Sequence, residues 1–158
     1  MSTALRAATV DDAPSVADVI LSSRKAFLPY APMAHSDADV HQWVREVLIP
    51  SADVTVACAG PSLVGVLAVE REAGTHWISQ LYVSPAHVGR GIGTQLLAHA
   101  LRACPLPLRL YTFQANLRAR AFYVRHGFTA IAFTDGSDNE ERCPDVLYEL
   151  AFPAPVGA

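Results

Sequence analysis

Hydrophobic positions recur along this chain with two different periods, and the switches between them divide it into elements. In "DDAPSVADVILSSRKAF", Val16, Val19 and Ile20 fall at helical spacing behind Asp11 and Asp12, acids that suit a helix start. A second helix is predicted after Ser36 as N-cap. There Val40, Trp43, Val44, Val47 and Leu48 form one apolar stripe and Pro50 closes the segment. Short apolar runs bounded by turn residues read as strands: "LRAAT", then "DVTVACA" and "SLVGVLAVE" joined at Gly60 and Pro61 as a hairpin, then "HWISQLYVS" stopping at Pro85. The helix after "HVGRGIG" runs to about Cys104, where Pro105 and Pro107 forbid continuation. "LRLYTF" is another strand, and residues 116–126 form a helix that Gly127 ends in the left-handed conformation. "FTAIAFT" and "DVLYELAF" are strands flanking the polar loop "DGSDNEERCP". A meander followed by alternating strands and helices predicts an α/β or α+β fold, with a mixed, mostly antiparallel twisted sheet and helices on both faces. The expected organisation is one domain over 1–152 and a loose tail over 153–158.

Composition narrows the function classes. Half of the residues are hydrophobic and 17% are charged, which excludes intrinsic disorder. A net charge of -3 gives no electrostatic footprint for nucleic acid, although local arginines could hold a phosphorylated small molecule. Cys58, Cys104 and Cys143 show neither a disulfide framework nor metal-ligand spacing, so a reducing cytoplasm without a metal site is expected. A cysteine nucleophile also lacks support, since neither Cys104 nor Cys143 has a patterned histidine partner. The longest uncharged apolar run, Val54 to Val69, is broken by "AGPS" and reads as two strands rather than a membrane span. The first dozen residues carry acids and lack an apolar signal core.

The stretch "HVGRGIGTQLL" carries the first chemical signal. Three glycines within five residues lie between a strand and a helix, where free backbone N–H groups and the helix dipole favour an anion. Glycine lets phosphate oxygens approach the main chain without a Cβ in the way. Two well-known cradles do not fit: Gly93 is followed by Thr94 and Gln95 rather than Lys-Ser/Thr, and the third glycine arrives one residue early for GxGxxG. Alone, the run is compatible with a tight turn or with an anion cradle. In "NLRARAFYVRHGF", Leu117, Ala121 and Val124 share one helix face. Tyr123 lies about 120° away, near the angular position of Asn116, and roughly 10 Å from it along the axis. Taken singly, Asn116 reads as an N-cap and Tyr123 as a packed aromatic.

Together, "LYVSPAHVGRGIGTQLL" and "LYTFQANLRARAFYVRHGF" resemble the GNAT superfamily of acyl-CoA-dependent N-acyltransferases, and "LRAATVDDAPSVADVI" is similar to its usual first strand and helix. The family's loop reads Arg/Gln-x-x-Gly-x-Gly/Ala. Here Val88, Gly89, Arg90, Gly91, Ile92 and Gly93 keep both required glycines, with Val88 at the first place. The resemblance implies a single-domain GNAT-like fold and direct acetyl transfer from acetyl-CoA to a primary amine of a small molecule, peptide or protein. It implies that Leu81, Tyr82 and Val83 offer main-chain groups to pantetheine. Residues Val88, Gly89, Arg90, Gly91, Ile92, Gly93 and Thr94 would cradle the pyrophosphate, Asn116 would contact the cofactor arm, and Tyr123 would be the general acid. A homodimer is compatible with it, although no stripe in the sequence specifies an interface. The alternative is a non-catalytic acyl-CoA-binding or sensing module, against which the retention of Tyr123 weighs.

An amine must be neutral to attack, so a base or water chain is expected. Candidates by position are Glu70, Glu72, His76, Gln80, Glu140 and Glu141, of which Gln80 could only orient water or substrate. The acids of "DGSDNEER" read first as a solvated turn and second as an attractor for a cationic amine. His35, His41, Arg118, Arg120 and Arg125 read as helix surface, with an arginine near the cofactor's ribose phosphate conceivable.

Overall fold

A computed structural model describes residues 2–31 and 33–153. Of the expected tail, residues 154–158 lie outside the described residues. Seven strands form one sheet: β1 (Thr3–Ala7), β2 (Asp53–Ala59), β3 (Ser62–Glu72), β4 (Thr75–Val83), β5 (Leu108–Phe113), β6 (Thr129–Phe133) and β7 (Asp145–Leu150). Their spatial order is β1-β2-β3-β4-β5-β7-β6. All neighbours are antiparallel except β4 and β5, which run parallel.

Helices α1 (Ala13–Phe27) and α2 (Asp37–Trp43) cover one face, and α4 (Ile92–Ala103) and α5 (Leu117–Arg125) the other. The first core joins Val16, Ile20, Val40, Val44 and Leu48 to Val54, Val56, Val66 and Ala68. The second joins Ile92, Leu96, Leu97, Tyr123 and Phe128 to Leu67, Ile78, Leu108, Leu110, Val146 and Tyr148. Strand β3 sits between them, which is why "LVGVLAV" is apolar at successive positions rather than alternate ones. Leu96 and Leu97 are fully buried, each contributing about 1.5–3 kcal/mol of burial energy to the seating of α4.

Two local expectations change. Pro50 does not close the second helix; after Trp43 the chain widens into a π-helical stretch, Val44–Leu48, and then makes a last turn, α3 (Ile49–Ser51). Proline lacks an N–H and clashes with the carbonyl four residues back, and the wider turn accommodates both effects. The widening also rotates the stripe, so that Val40, Val44 and Leu48 are buried while Trp43 and Val47 face solvent. On α5 the face shared by Leu117, Ala121 and Val124 is the exposed one, Leu117 at 69% and Val124 at 58%. The rings of Phe122 and Tyr123 occupy the core side instead. Tyr123 meets Phe122, Phe128 and Tyr148 with ring centroids at 5.2, 5.6 and 6.2 Å.

Candidate active site

Strands β4 and β5 pair only at His76 with Leu108 and at Trp77 with Arg109, and then part. Stacking of Trp77 on Tyr111, 5.6 Å apart and nearly parallel, with Arg109 5.9 Å over the Trp77 ring, clamps the closed end. A bulge at Ser79 skips one residue against β3, since Ala68 faces Gln80 and Val69 faces Ile78. Such a bulge bends the strand and turns it from its neighbour. From Ile78 to Val83, β4 therefore presents one unpaired backbone edge to a cleft, and Leu81, Tyr82 and Val83 lie along it.

Two cavities of about 500 and 540 Å³ open from this gap and share Leu28, Leu81, Tyr82, Asn116, Ala119 and Tyr123 as walls. The second begins at the glycine loop. The Ser84 amide donates to the Val64 carbonyl at 2.8 Å, ending β4, and a turn at Pro85–His87 leads to Gly89 and Gly91. Both glycines are left-handed, at φ 79° and 80°, a conformation that costs other residues about 1–2 kcal/mol. Gly91 is the N-cap of α4, whose first internal bond runs from the Gln95 amide to its carbonyl at 3.0 Å. The amides of Ile92, Gly93 and Thr94 are thus the unpaired donors of a helix start. A Cβ added at Gly89 or Gly91 would meet nothing within 4 Å, so the space before the loop is open.

Val88, Gly89, Gly91, Ile92, Gly93 and Thr94 line this cavity; Arg90 is exposed and does not. His87, Arg118 and Arg125 line it too, so two of the three α5 arginines read as helix surface border the groove, and Arg120 does not. No carboxylate lines it among the described residues. Open glycines, free amides and uncompensated cations fit the diphosphate and ribose phosphate of a coenzyme A molecule.

The first cavity has the opposite charge. Its wall includes Arg24 from α1, Asp138 and Glu141 from the loop between β6 and β7, and Asp145 at the start of β7. That loop keeps Asp135, Ser137, Asp138, Glu140 and Arg142 exposed, as a solvated turn would, and is also braced from within. The Asn139 side chain donates to the Cys143 carbonyl at 2.7 Å and accepts from the Cys143 amide at 3.1 Å. The Gln114 side chain donates to the carbonyls of Thr134 and Asp145 at 2.8 and 3.2 Å. Gly136, at φ 83°, lies against the Cys143 backbone, where a Cβ would come within 2.4 Å. The Asp145 carboxylate is buried and accepts from Thr134 and from Asn139. Glu141 meets Arg24 at 3.5 Å, and Arg24 in turn reaches the Tyr82 hydroxyl at 3.5 Å.

Tyr123 stands where the cavities join. It is 7% exposed, and among the described residues its hydroxyl has no hydrogen-bond partner. Burial above all, with the nearby Tyr82 adding to it, pushes its ionisation well above the ordinary phenol range, so it keeps its proton. Asn116 caps α5, its side chain accepting from the Ala119 amide at 3.2 Å, and still borders both cavities. Both sequence roles of Asn116 are therefore structurally compatible.

Of the candidate bases, the fold brings Gln80 and Glu141 to the cleft. Glu70 and Glu72 are exposed on β3, and Glu140 pairs with His35 at 3.3 Å on the surface. His76 sits at the clamped end, its Nδ1 buried without a partner. Arg24, Ser79 and Asp145 went unnoticed as site residues, because nothing in their local sequence marks them, whereas Asp138 lies among the loop acids read second as an attractor for a cationic amine. Only Gly65 carried a usable sign: a lone glycine inside a strand suggests close approach, and its missing Cβ would lie 3.0 and 3.1 Å from Leu96 and Ile92.

Residues 20–128 match the model of the acetyltransferase (GNAT) family. No curated protein matches the sequence. Among solved structures, the apo form of YjaB from Escherichia coli is similar at a TM-score of 0.77 and 21% identity, covering 98% of this chain and 100% of that one. PaiA N-acetyltransferase from Thermoplasma acidophilum, solved in complex with coenzyme A, aligns at a TM-score of 0.74 and 22% identity, over 96% of this chain and 100% of that one. A Corynebacterium glutamicum protein described as histone acetyltransferase HPA2 and related acetyltransferase aligns at 0.75 and 21%, over 99% of each chain. At these identities the likeness establishes the fold.

Proposed function

The chain belongs to the GNAT acetyltransferase family, and from that premise we propose that it moves an acetyl group from acetyl-CoA directly to a primary amine. The observation that carries this is the division of charge along one cleft: a groove with His87, Arg118 and Arg125 and, among the described residues, no acid meets a cavity holding three acids at the hydroxyl of Tyr123. A polyanionic cosubstrate and a cationic acceptor are thereby each drawn to their own end.

Val88, Gly89, Gly91, Ile92, Gly93 and Thr94 would hold the pyrophosphate through main-chain amides, with Arg118 and Arg125 beside the ribose phosphate and the free edge of Leu81, Tyr82 and Val83 along pantetheine. Bound acetyl-CoA supplies the activated acetyl thioester. Asn116 orients the arm, and the Tyr123 hydroxyl holds a proton where charge develops on the departing sulfur. Holding both reactants in one cleft supplies proximity without a covalent enzyme intermediate. Gln80 and Glu141 border the acceptor side, and either would orient a water that takes the amine's proton. A cytoplasmic setting, in which Cys58, Cys104 and Cys143 remain reduced, belongs to the same proposal.

The test is release of CoA thiol from acetyl-CoA over a panel of primary amines, beside calorimetric titration with CoA. Binding with amine-dependent thiol release is expected. Thermal stabilisation by CoA with no release on any amine would replace the enzyme with a binding module.

A further inference from the structure

Resting on the acyl-transfer proposal, we infer that the acceptor is a primary amine carried on an apolar body of aromatic size, and that amines bearing a carboxylate are excluded. The cavity beyond Tyr123 measures about 500 Å³, room for far more than the amino group itself. Tyr82, Tyr111 and Phe113 supply aromatic walls, and Tyr111 and Phe113 are held in place by stacking on Trp77 and by an edge contact with Tyr30 at 6.3 Å. Such walls favour a flat apolar body and attract an ammonium group to their faces.

The charges select against an acid. Glu141 is offset by Arg24, the cavity's one cation among its described lining residues. Asp145 is fixed in the wall by Thr134 and Asn139, and Asp138 has no cationic partner among the described residues. Two carboxylates thus exceed charge balance. Independently of them, the hydroxyl of the largely buried Tyr123 opens on the same cavity with no hydrogen-bond partner among the described residues, a donor that a ligand can engage. A carboxylate on the acceptor would face like charge from the buried Asp145 and the exposed Asp138, a penalty that costs at least about tenfold in recognition. A linear polyamine would satisfy the acids but leave the aromatic walls against polar groups.

Three probes separate these features: 2-phenylethylamine, phenylalanine and spermidine, each compared by kcat/KM and by calorimetric titration into the CoA-saturated protein. Phenylethylamine should exceed phenylalanine at least about tenfold in both readouts and should exceed spermidine. Asp138→Asn should raise KM for phenylethylamine and narrow its margin over phenylalanine, whereas Glu72→Gln, exposed on the far part of β3, should alter neither. Phenylalanine equal to or better than phenylethylamine would overturn the exclusion, and a preference for spermidine would overturn the aromatic body. An unmoved KM and margin in Asp138→Asn would overturn the acidic wall. Thiol release with phenylalanine or spermidine as the best acceptor would leave acyl transfer standing; absence of release and of amine binding with all three would remove both conclusions.

Discussion

Replacing Tyr123 by phenylalanine should separate catalysis from stability in opposite directions. The substitution deletes one oxygen and leaves the ring, with its contacts to Phe122, Phe128 and Tyr148, in place. Among the described residues that oxygen has no hydrogen-bond partner, so the folded protein loses no internal bond. The melting temperature should hold or rise. Turnover should fall by about 10²–10⁴, the usual worth of general acid catalysis, which is about 2.7–5.4 kcal/mol of barrier. CoA affinity should stay within about twofold, because on the proposed reading the diphosphate would be held at the other end of the groove, and a twofold change is only about 0.4 kcal/mol. The assay is thiol release at saturating phenylethylamine, together with calorimetric titration by CoA and a thermal melt of each protein. Because burial holds the phenol's ionisation above its ordinary range, the basic limb of the wild-type pH–rate profile should not belong to Tyr123. Unchanged turnover at the chemical step would remove the acid role, and a melting point lowered by several degrees would mean that the hydroxyl has a structural partner.

Three further outcomes are expected. Gly91→Val forces a β-branched residue to φ 80° and should weaken CoA binding at least about tenfold by calorimetric titration, by disturbing the turn that aims the α4 amides; unaltered affinity would count against the cradle. Gly65→Ala places a methyl 3.0 Å from Leu96 and 3.1 Å from Ile92; strain of about 1–3 kcal/mol outweighs about 0.4–1 kcal/mol of unfolded-state entropy, so a thermal melt should shift down by several degrees. Asp12 accepts from Arg6 at 2.7 and 2.8 Å and from the Thr9 amide at 2.8 Å; the Arg6 bonds are the main cause holding its carboxyl down at about 2, below the ordinary 3.8. The stabilisation is therefore complete above pH 3.8 and lost as pH falls through about 2. Asp12→Ala should cost about 1 kcal/mol near neutrality, because Arg6 is half exposed and the pair is partly screened, and the gap between variant and wild type should close in acid.

Local rules made much of this molecule legible in advance. Strand periodicity, Pro85, the glycines of the loop and Gly127 act over a few residues, and the structure places β1 to β7, α1, α4 and the end of α5 close to where those signals fall. The pairing of Asn116 with Tyr123 across about two turns was likewise readable, since helical geometry alone brings them to one side. Helix faces were less secure. α5 carries apolar residues all round, so spacing could not say whether Leu117 and Val124 or Phe122 and Tyr123 would enter the core; the larger rings did.

Chain order and composition were sufficient for the class of fold, because apolar spacing and turn chemistry are properties of neighbouring residues. The cleft is of another kind. It exists because parallel pairing of β4 and β5 stops after Trp77 and Arg109, and because β7 rather than β6 lies beside β5, carrying the 134–145 loop over the gap. Those two facts bring Arg24, Tyr82, Tyr123 and Glu141 into one cavity from positions up to 117 residues apart. Their meeting depends on how whole layers settle against one another, and no local pattern encodes it.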